Sequence, residues 1–412
     1  MKKLILVNPA FGGTLSGLIG KFFKFGYPPV FAELESMTPG YEIKVYNQPF
    51  FVKYEKALVG ITSFTSNVYR AYEHANKFKK KGAKVIMGGC HVMFNVKEAL
   101  RYCDSVIIGE VESIWKQIIE DYENDCLKQI YYGEAVDDFW KYYHEGFLNL
   151  SDNKKQNTIQ TTRGCKFKCK FCMIPKLYEG NIRHVPIEKV IEEVKSIKGF
   201  RKYGLLFNDN NIFANVSYAR ALFKALIPLK IRWEALCSID IAKDESLLDL
   251  AKKSGCYRLH VGFETINEKV IANNPGKLNM YLDYLELIKR IKKRKIKIRG
   301  TFMFGFDEDT YKSLWELFVF TFKANLNLSL FSVLTPFPGT QMYEDYKKEG
   351  KIVSFKWYKY NAFNLVTKPK NINSFVLNIL VWLFRLSFLI TTNVGRLILF
   401  LILLSPILHI WV

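Results

Sequence analysis

Apolar and polar positions divide the chain into three stretches of different texture. In the first, short apolar runs close on Gly, Ser or Asn: KLILVNPAFGG from Lys3, ALVGITSF from Ala57, AKVIMGG from Ala83 and DSVIIGE from Asp104. Between them, Asn67 to Lys81 and Val96 to Tyr102 carry apolar residues at helical spacing. Unbroken apolar runs suit strands buried on both faces. Their alternation with helices predicts a doubly wound, Rossmann-like α/β domain over residues 1–135. Ligands of such sheets bind outside the carboxyl ends of the strands. There the chain places Asn8, Ser63, Thr65, Gly88, Gly89, His91, Gly109 and Glu110. Taken alone, the glycines read as tight turns.

Beyond this domain the periodicity breaks into Tyr, Trp, Asp and Lys, and residues 136–156 are predicted as a linker. Six further strand candidates follow over residues 157–350, starting at Thr158, Gly204, Arg232, Arg258, Lys297 and Leu328. Helical stripes intervene, such as Ile187, Val190, Ile191, Val194 and Ile197 behind Pro186. Six β/α units predict a partial, TIM-like (β/α)6 barrel with active residues at the carboxyl ends of its strands. Residues 351–412 form a C-terminal extension, almost unbroken apolar from Phe375, with Arg385 and Arg396 its charged side chains. A spanning helix needs about 20 apolar residues. Arg385 interrupts the first run and Pro406 the second. The expectation is therefore a pair of interfacial or re-entrant helices behind a lysine-rich segment. The alternative is a helical hairpin packed on the barrel.

Composition adds direction. The 412 residues are 49% hydrophobic, ample for two domains. A net charge of +21 favours an anionic neighbour, either a membrane surface or nucleic acid, or else marks a solvated basic surface. Eight cysteines show no extracellular framework. With no cleavable signal at Met1-Lys2-Lys3, they point to a reducing cytoplasm. Cys90, Cys103, Cys126, Cys237 and Cys256 are scattered and read as small buried hydrophobes.

The other three cysteines carry the chemistry. TTRGCKFKCKFC, Thr161 to Cys172, sets Cys165, Cys169 and Cys172 at C-x3-C-x2-C spacing. A structural zinc wants four ligands, and the nearest histidine, His184, is twelve residues beyond Cys172. Three thiolates can instead hold three irons of a 4Fe-4S cluster and leave the fourth open. The spacing, with Phe171 before the last cysteine, resembles the signature of radical S-adenosylmethionine (SAM) enzymes. FNDNN from Phe207, VGFET from Val261, GTFMFGF from Gly300 and TPFPGT from Thr335 resemble further segments of that family, in its order. The first domain, through ILVNPAFGG, VGITSFTSN, VIMGGCHV and VIIGEVES, resembles the cobalamin-binding domain found in front of many of these enzymes. Two departures stand out. No Asp-x-His occurs to supply a lower cobalt ligand, and Pro28-Pro29-Val30-Phe31 replaces the usual Pro-Pro-Leu-Gly.

The resemblance implies a cofactor set and a reaction. Cys165, Cys169 and Cys172 would hold the cluster, and Phe171, Asp209 and Glu264 would contact SAM. The rim of the first domain would hold cobalamin without a histidine ligand. Asp209 and Glu264 otherwise read as helix N-caps or surface ion pairs. The implied reaction is cleavage of SAM to a 5′-deoxyadenosyl radical and methylation of an unactivated carbon from methylcobalamin, with no side chain acting as acid or base. The length, the TPFPGT ending and the apolar tail are most similar to lipid-acting members such as hopanoid methylases. A lipid or other small-molecule substrate is expected at the inner face of the cell membrane, with a one-electron donor such as flavodoxin or ferredoxin. One alternative uses the same cofactors for cyclisation, rearrangement or C–C coupling. Another, a tRNA methylthiotransferase, would need three more clustered cysteines and a C-terminal RNA-binding barrel. The apolar tail argues against it and against nucleic acid. A non-enzymatic cluster protein is the third.

Overall fold

In the computed structural model the described residues are 2–10, 27–49, 51–151, 155, 157–199, 204–273 and 283–387. Two six-stranded parallel sheets organise them. The first contains β1 (Lys3–Asn8), β2 (Glu42–Asn47), β3 (Leu58–Thr62), β4 (Lys84–Gly88), β5 (Ser105–Gly109) and β6 (Ile130–Gly133). Its order is β2-β1-β3-β4-β5-β6, so the winding direction reverses between β1 and β3. That reversal opens a crevice where ligands of doubly wound sheets bind. Leu4, Leu6, Val59, Val85 and Val106 are fully buried, as unbroken apolar runs require. The edge strands β2 and β6 lie beyond the four predicted. EIKVYN in β2 is only half-buried along its length and lacks the apolar run of a central strand.

The second sheet contains all six predicted strands. They are β7 (Thr158–Ile159), then β10 (Leu205–Phe207), β11 (Trp233–Cys237), β12 (Cys256–Glu264), β13 (Lys297–Phe304) and β14 (Leu328–Val333), each beside its neighbour in sequence. Between β7 and β10 lies a short antiparallel hairpin, β8 (Thr162–Arg163) with β9 (Arg183–His184). One face of the sheet buries Trp233, Ala235, Leu259, Val261, Phe302 and Phe304. Its other face carries Glu234, His260 and Arg299, with Leu236 and Leu330 exposed.

Three segments depart from expectation. The predicted linker contains a helix, Trp140–Asn149, that buries Tyr143, His144 and Phe147. Gly146 lets it close on the helix Pro29–Ser36, since a Cβ there would lie 2.1 Å from the carbonyl oxygen of Ala32. Trp140, Tyr143 and Phe147 carry the helical period that the surrounding charged residues obscured. The chain after Thr340 returns to the first sheet. Met342, Tyr346, Trp357, Tyr360 and Val366 share a core with Ile5, Val59, Phe78 and Met87. Cys126 is exposed, unlike the buried Cys103, Cys237 and Cys256.

The helix Ser374–Ser387 docks one face on the second sheet. Leu377, Val381, Leu383 and Phe384 are buried, and the Phe384 ring lies 4.9 Å from that of Phe304. Phe375 and Trp382 remain exposed. Among the described residues, no helix is long and apolar enough to cross a membrane. The second apolar run, Leu397 to Val412, lies outside the described residues.

Candidate functional site

The cysteine loop is an excursion between β8 and β9. It leaves through Gly164, whose φ of +103° excludes a side chain, since a Cβ would lie 1.9 Å from the carbonyl oxygen of Asn181. Cys165, Cys169 and Cys172 are half-buried, and the Cys172 amide donates to the Cys169 carbonyl at 3.1 Å. Among the described residues, no group of three or more His, Cys, Asp or Glu converges as one metal ion requires. Thiolates of a 4Fe-4S cluster bind separate irons and stand further apart than ligands of a single ion. The donor set therefore fits a cluster, and it lacks the fourth ligand of a structural zinc.

Two buried anchors hold this loop. On one side Asp209, beyond β10, accepts from the amides of Thr161 (2.6 Å) and Thr162 (2.8 Å) and from the Thr161 hydroxyl (2.6 Å). Burial pushes its pKa up to about 6, opposed by these donors. Asp209 is thus engaged in fixing the strand ahead of the cysteines. On the other side Arg163 donates to Glu33 at 2.8 Å, to Glu112, and to Glu110 at 3.4 Å. Its guanidinium lies 4.4 Å from the centre of the Phe139 ring. Arg183 on β9 holds Glu110 from below, with one contact at 2.9 Å. Burial, and then the neighbouring Glu112, hold the Glu33 carboxyl well above the usual carboxylate range, against the pull of Arg163. Its Oε2 has no hydrogen-bond partner. Glu110 and Glu112 follow β5 at the rim of the first sheet, and Glu33 lies on the helix Pro29–Ser36 packed against that sheet, so these bonds join the cysteine loop to the first domain.

Behind the joint lies a cavity of about 320 Å³. Its apolar wall is Leu6, Ile86, Ile107 and Trp115, and its rim is Thr62, Gly88, Gly89, Gly109 and Glu110. Arg163, Leu177 and Tyr178 close it from the cysteine loop. Of the expected rim residues, Gly88, Gly89, Gly109 and Glu110 line this space. Asn8, Ser63, Thr65 and His91 do not. Asn8 is turned to Asn47 at 2.8 Å, and Ser63 and Thr65 are buried. His91 is fully buried, its ring 5.0 Å from Trp357 and its Nε2 3.6 Å from Glu98. Sequence reading missed Glu33, Glu112, Trp115, Tyr178 and Arg183. The acidic pair Glu110-x-Glu112 beside a strand end was the available signal, but its cationic partners lie far away in the chain.

The remaining expected residues lie on the second sheet's side. Phe171 packs edge-on to Phe306 at 6.4 Å. Glu264 ends β12 at φ +65°, where the register with β13 shifts. A non-glycine residue held in this region is strained, and such bulges re-aim side chains at the mouths of sheets. Further along the same face, Glu234 accepts from His260 (2.8 Å) and Arg258 (2.9 Å). Burial alone would raise its pKa, but these partners hold it down at about 2.

The radical SAM superfamily model matches residues 159–321. Bacteriochlorophyllide d C-12(1)-methyltransferase of Chlorobaculum tepidum is 31% identical, over 76% of this chain and 71% of its own length. Hopanoid C-2 methylase of Rhodopseudomonas palustris is 27% identical over 48% of this chain and 38% of its own. Among solved structures, the radical SAM methyltransferase TsrM from Kitasatospora setae, with cobalamin and a 4Fe-4S cluster bound, shares the fold. It has a TM-score of 0.66 at 16% identity, covering 85% of this chain and 78% of that one.

Proposed function

This chain belongs to the radical SAM enzymes, in the family of the bacteriochlorophyllide d methyltransferases, and on that footing we propose that it methylates an unactivated carbon using a 4Fe-4S cluster, SAM and cobalamin. The observation that carries the reading is the joint at Arg163. One residue forms the edge of the cavity and stands two positions before the first cysteine. Cys165, Cys169 and Cys172 would hold the cluster, and Asp209 fixes the strand that presents them. The cavity's apolar wall and glycine rim suit one edge of a large cofactor with apolar surface, so Gly88, Gly89, Gly109 and Glu110 would border part of cobalamin. Among the described residues no histidine lines the cavity, in keeping with a cobalamin lacking a protein ligand from below. When bound, these groups supply a carbon radical and a methyl donor. The chain supplies position and exclusion of water. Glu264, aimed by its bulge, is the assigned SAM contact from the second sheet.

The substrate we assign is large and mainly apolar, a lipid or a tetrapyrrole-like ring. The names of the two relatives point to these classes. Among the described residues, Leu236 and Leu330 are exposed on the polar face of the second sheet and give such a molecule a surface to lie on. Delivery from the inner face of the membrane fits the outer stripe of the helix Ser374–Ser387. Phe375, Trp382 and Leu386 are exposed there, and Phe363 lies beside Arg385.

Anaerobic reconstitution with iron, sulfide, hydroxocobalamin, reductant and methyl-labelled SAM tests the reading. Lipid and tetrapyrrole extracts serve as substrate. Label in a substrate-derived product, with corrinoid retained by the protein, is expected. SAM cleavage with product formed but no label moved would replace methylation by another radical reaction.

A further inference from the structure

The polar face of the second sheet carries more positive than negative charge. Strand alternation sets Glu234, Arg258, His260, Lys297 and Arg299 on it, with His260 directly between Leu236 and Arg299 in the register. Glu234 accepts from Arg258 at 2.9 Å and from Nε2 of His260 at 2.8 Å. With that nitrogen donating, Nδ1 of His260 presents its lone pair to Nη1 of Arg299, 3.5 Å away. Among the described residues, Arg299 forms no ion pair, and its Nε is buried without a hydrogen-bond partner. An arginine on a sheet face is ordinarily paired with a carboxylate or extended into water, because a guanidinium N–H denied both is costly. Arg299 is half-buried and has neither arrangement at its Nε edge.

The surroundings of this arginine are apolar. Leu236, beside His260, and Leu330, beside Thr301, are exposed on the same face. The leucines stand on β11 and β14, three strand spacings apart, or roughly 14 Å, and Arg299 lies between them on β13. An acyl chain with its head on Arg299 runs to one side and reaches one leucine. A broad ring with an acidic arm reaches both. The free guanidinium edge matches one planar carboxylate, whereas a phosphate dianion would meet the neighbouring Glu234. We propose that Arg299 anchors a carboxylate side arm of a broad, ring-shaped and otherwise apolar substrate. The inference rests on the function proposed above and narrows its substrate from a lipid or a ring to a ring acid. Glu264, the assigned SAM contact, lies four residues beyond His260 on the same strand, roughly 13 Å away. The carbon attacked then stands about that far from the carboxylate.

The test measures binding of pyropheophorbide a, a tetrapyrrole with one free carboxyl group, and of its methyl ester, by equilibrium dialysis against the full chain. The acid should bind about tenfold or more tightly than the ester. Arg299→Gln should abolish that preference by weakening the acid alone, and Arg299→Lys should restore part of it, as a point charge without a fork. Equal binding of acid and ester by the unaltered chain overturns the proposal, and this comparison needs no variant to fold. A preference that survives Arg299→Gln overturns it too. Palmitate held through Arg299 in place of the ring acid would overturn the ring. A loss of SAM affinity in Arg299→Gln, measured without tetrapyrrole, would make the arginine a cofactor contact and likewise overturn the assignment. If no cluster loads, the proposed function fails, while acid and ester binding to the metal-free chain still decides the role of Arg299.

Discussion

The two sheets share strand number and direction but not order, and the order separates what each can do. In the first, winding reverses between β1 and β3, and a cavity of about 320 Å³ opens at its rim. In the second, strands follow one another without reversal. Its chemistry hangs instead on a loop outside the sheet and on the strained end of β12. Enclosure comes from topology and reactive groups come from an excursion. The joint between them is a handful of buried charges.

Removing the joint should cost most. Arg163→Ala leaves Glu33 and Glu112 buried without their cation, an expected loss of about 3 to 5 kcal/mol in chemical unfolding. A loss of less than about 1 kcal/mol would mean that the sheets are held together elsewhere. Asp209→Ala breaks only the second sheet's own anchor. It leaves two buried amides without acceptors, for about 2 to 3 kcal/mol, and should lower cluster occupancy without weakening corrinoid binding. Equal loss of both cofactors would erase the distinction between the regions.

The helix crossing between the sheets gives a pH test. His144 lies 3.0 Å from both Glu193 and Glu192. Burial pushes Glu193 up to about 7 from 4.5, against the pull of His144, and the hydrogen bond to Glu193 raises His144 in turn. A raised carboxyl means that the folded chain binds its proton more tightly, so stability falls as pH climbs from about 4.5 to 7. The raised histidine contributes fully below 6.5 and loses that contribution as pH passes its folded value. Both slopes have the same sign. Melting temperature should fall between pH 5 and 8, by on the order of 1 to 3 kcal/mol in stability, and Glu193→Gln should flatten the curve. The smallest effect belongs to the outer surface. Trp382→Ser should change stability by less than about 0.5 kcal/mol yet weaken flotation with lipid vesicles. Unchanged flotation would remove the membrane from the picture.

Much of this was legible because local patterns carried it. Buried parallel strands need apolar runs, and all ten of the expected ones formed. The cysteine motif declared its own loop. What stayed hidden was long-range. Glu33 sits in an ordinary helix, and its role appears only when Arg163 arrives 130 positions later. His91 follows Gly88-Gly89 as a rim residue would, yet Trp357 from the far end of the chain covers it. Asp209 has the right place for a cofactor contact, but its oxygens are committed to Thr161 and Thr162. In each case the residue type was informative and its partner was not.

The return of the chain after Thr340 also sets an order of manufacture. The first sheet cannot complete its core until Met342, Trp357 and Tyr360 exist, because they pack with Ile5 and Val59. Domains fold as units, so Glu33 and Arg163 reach their final places only when nearly the whole chain has left the ribosome. A chain cut short before Thr340 would carry all three cysteines without the finished surface that fixes their loop.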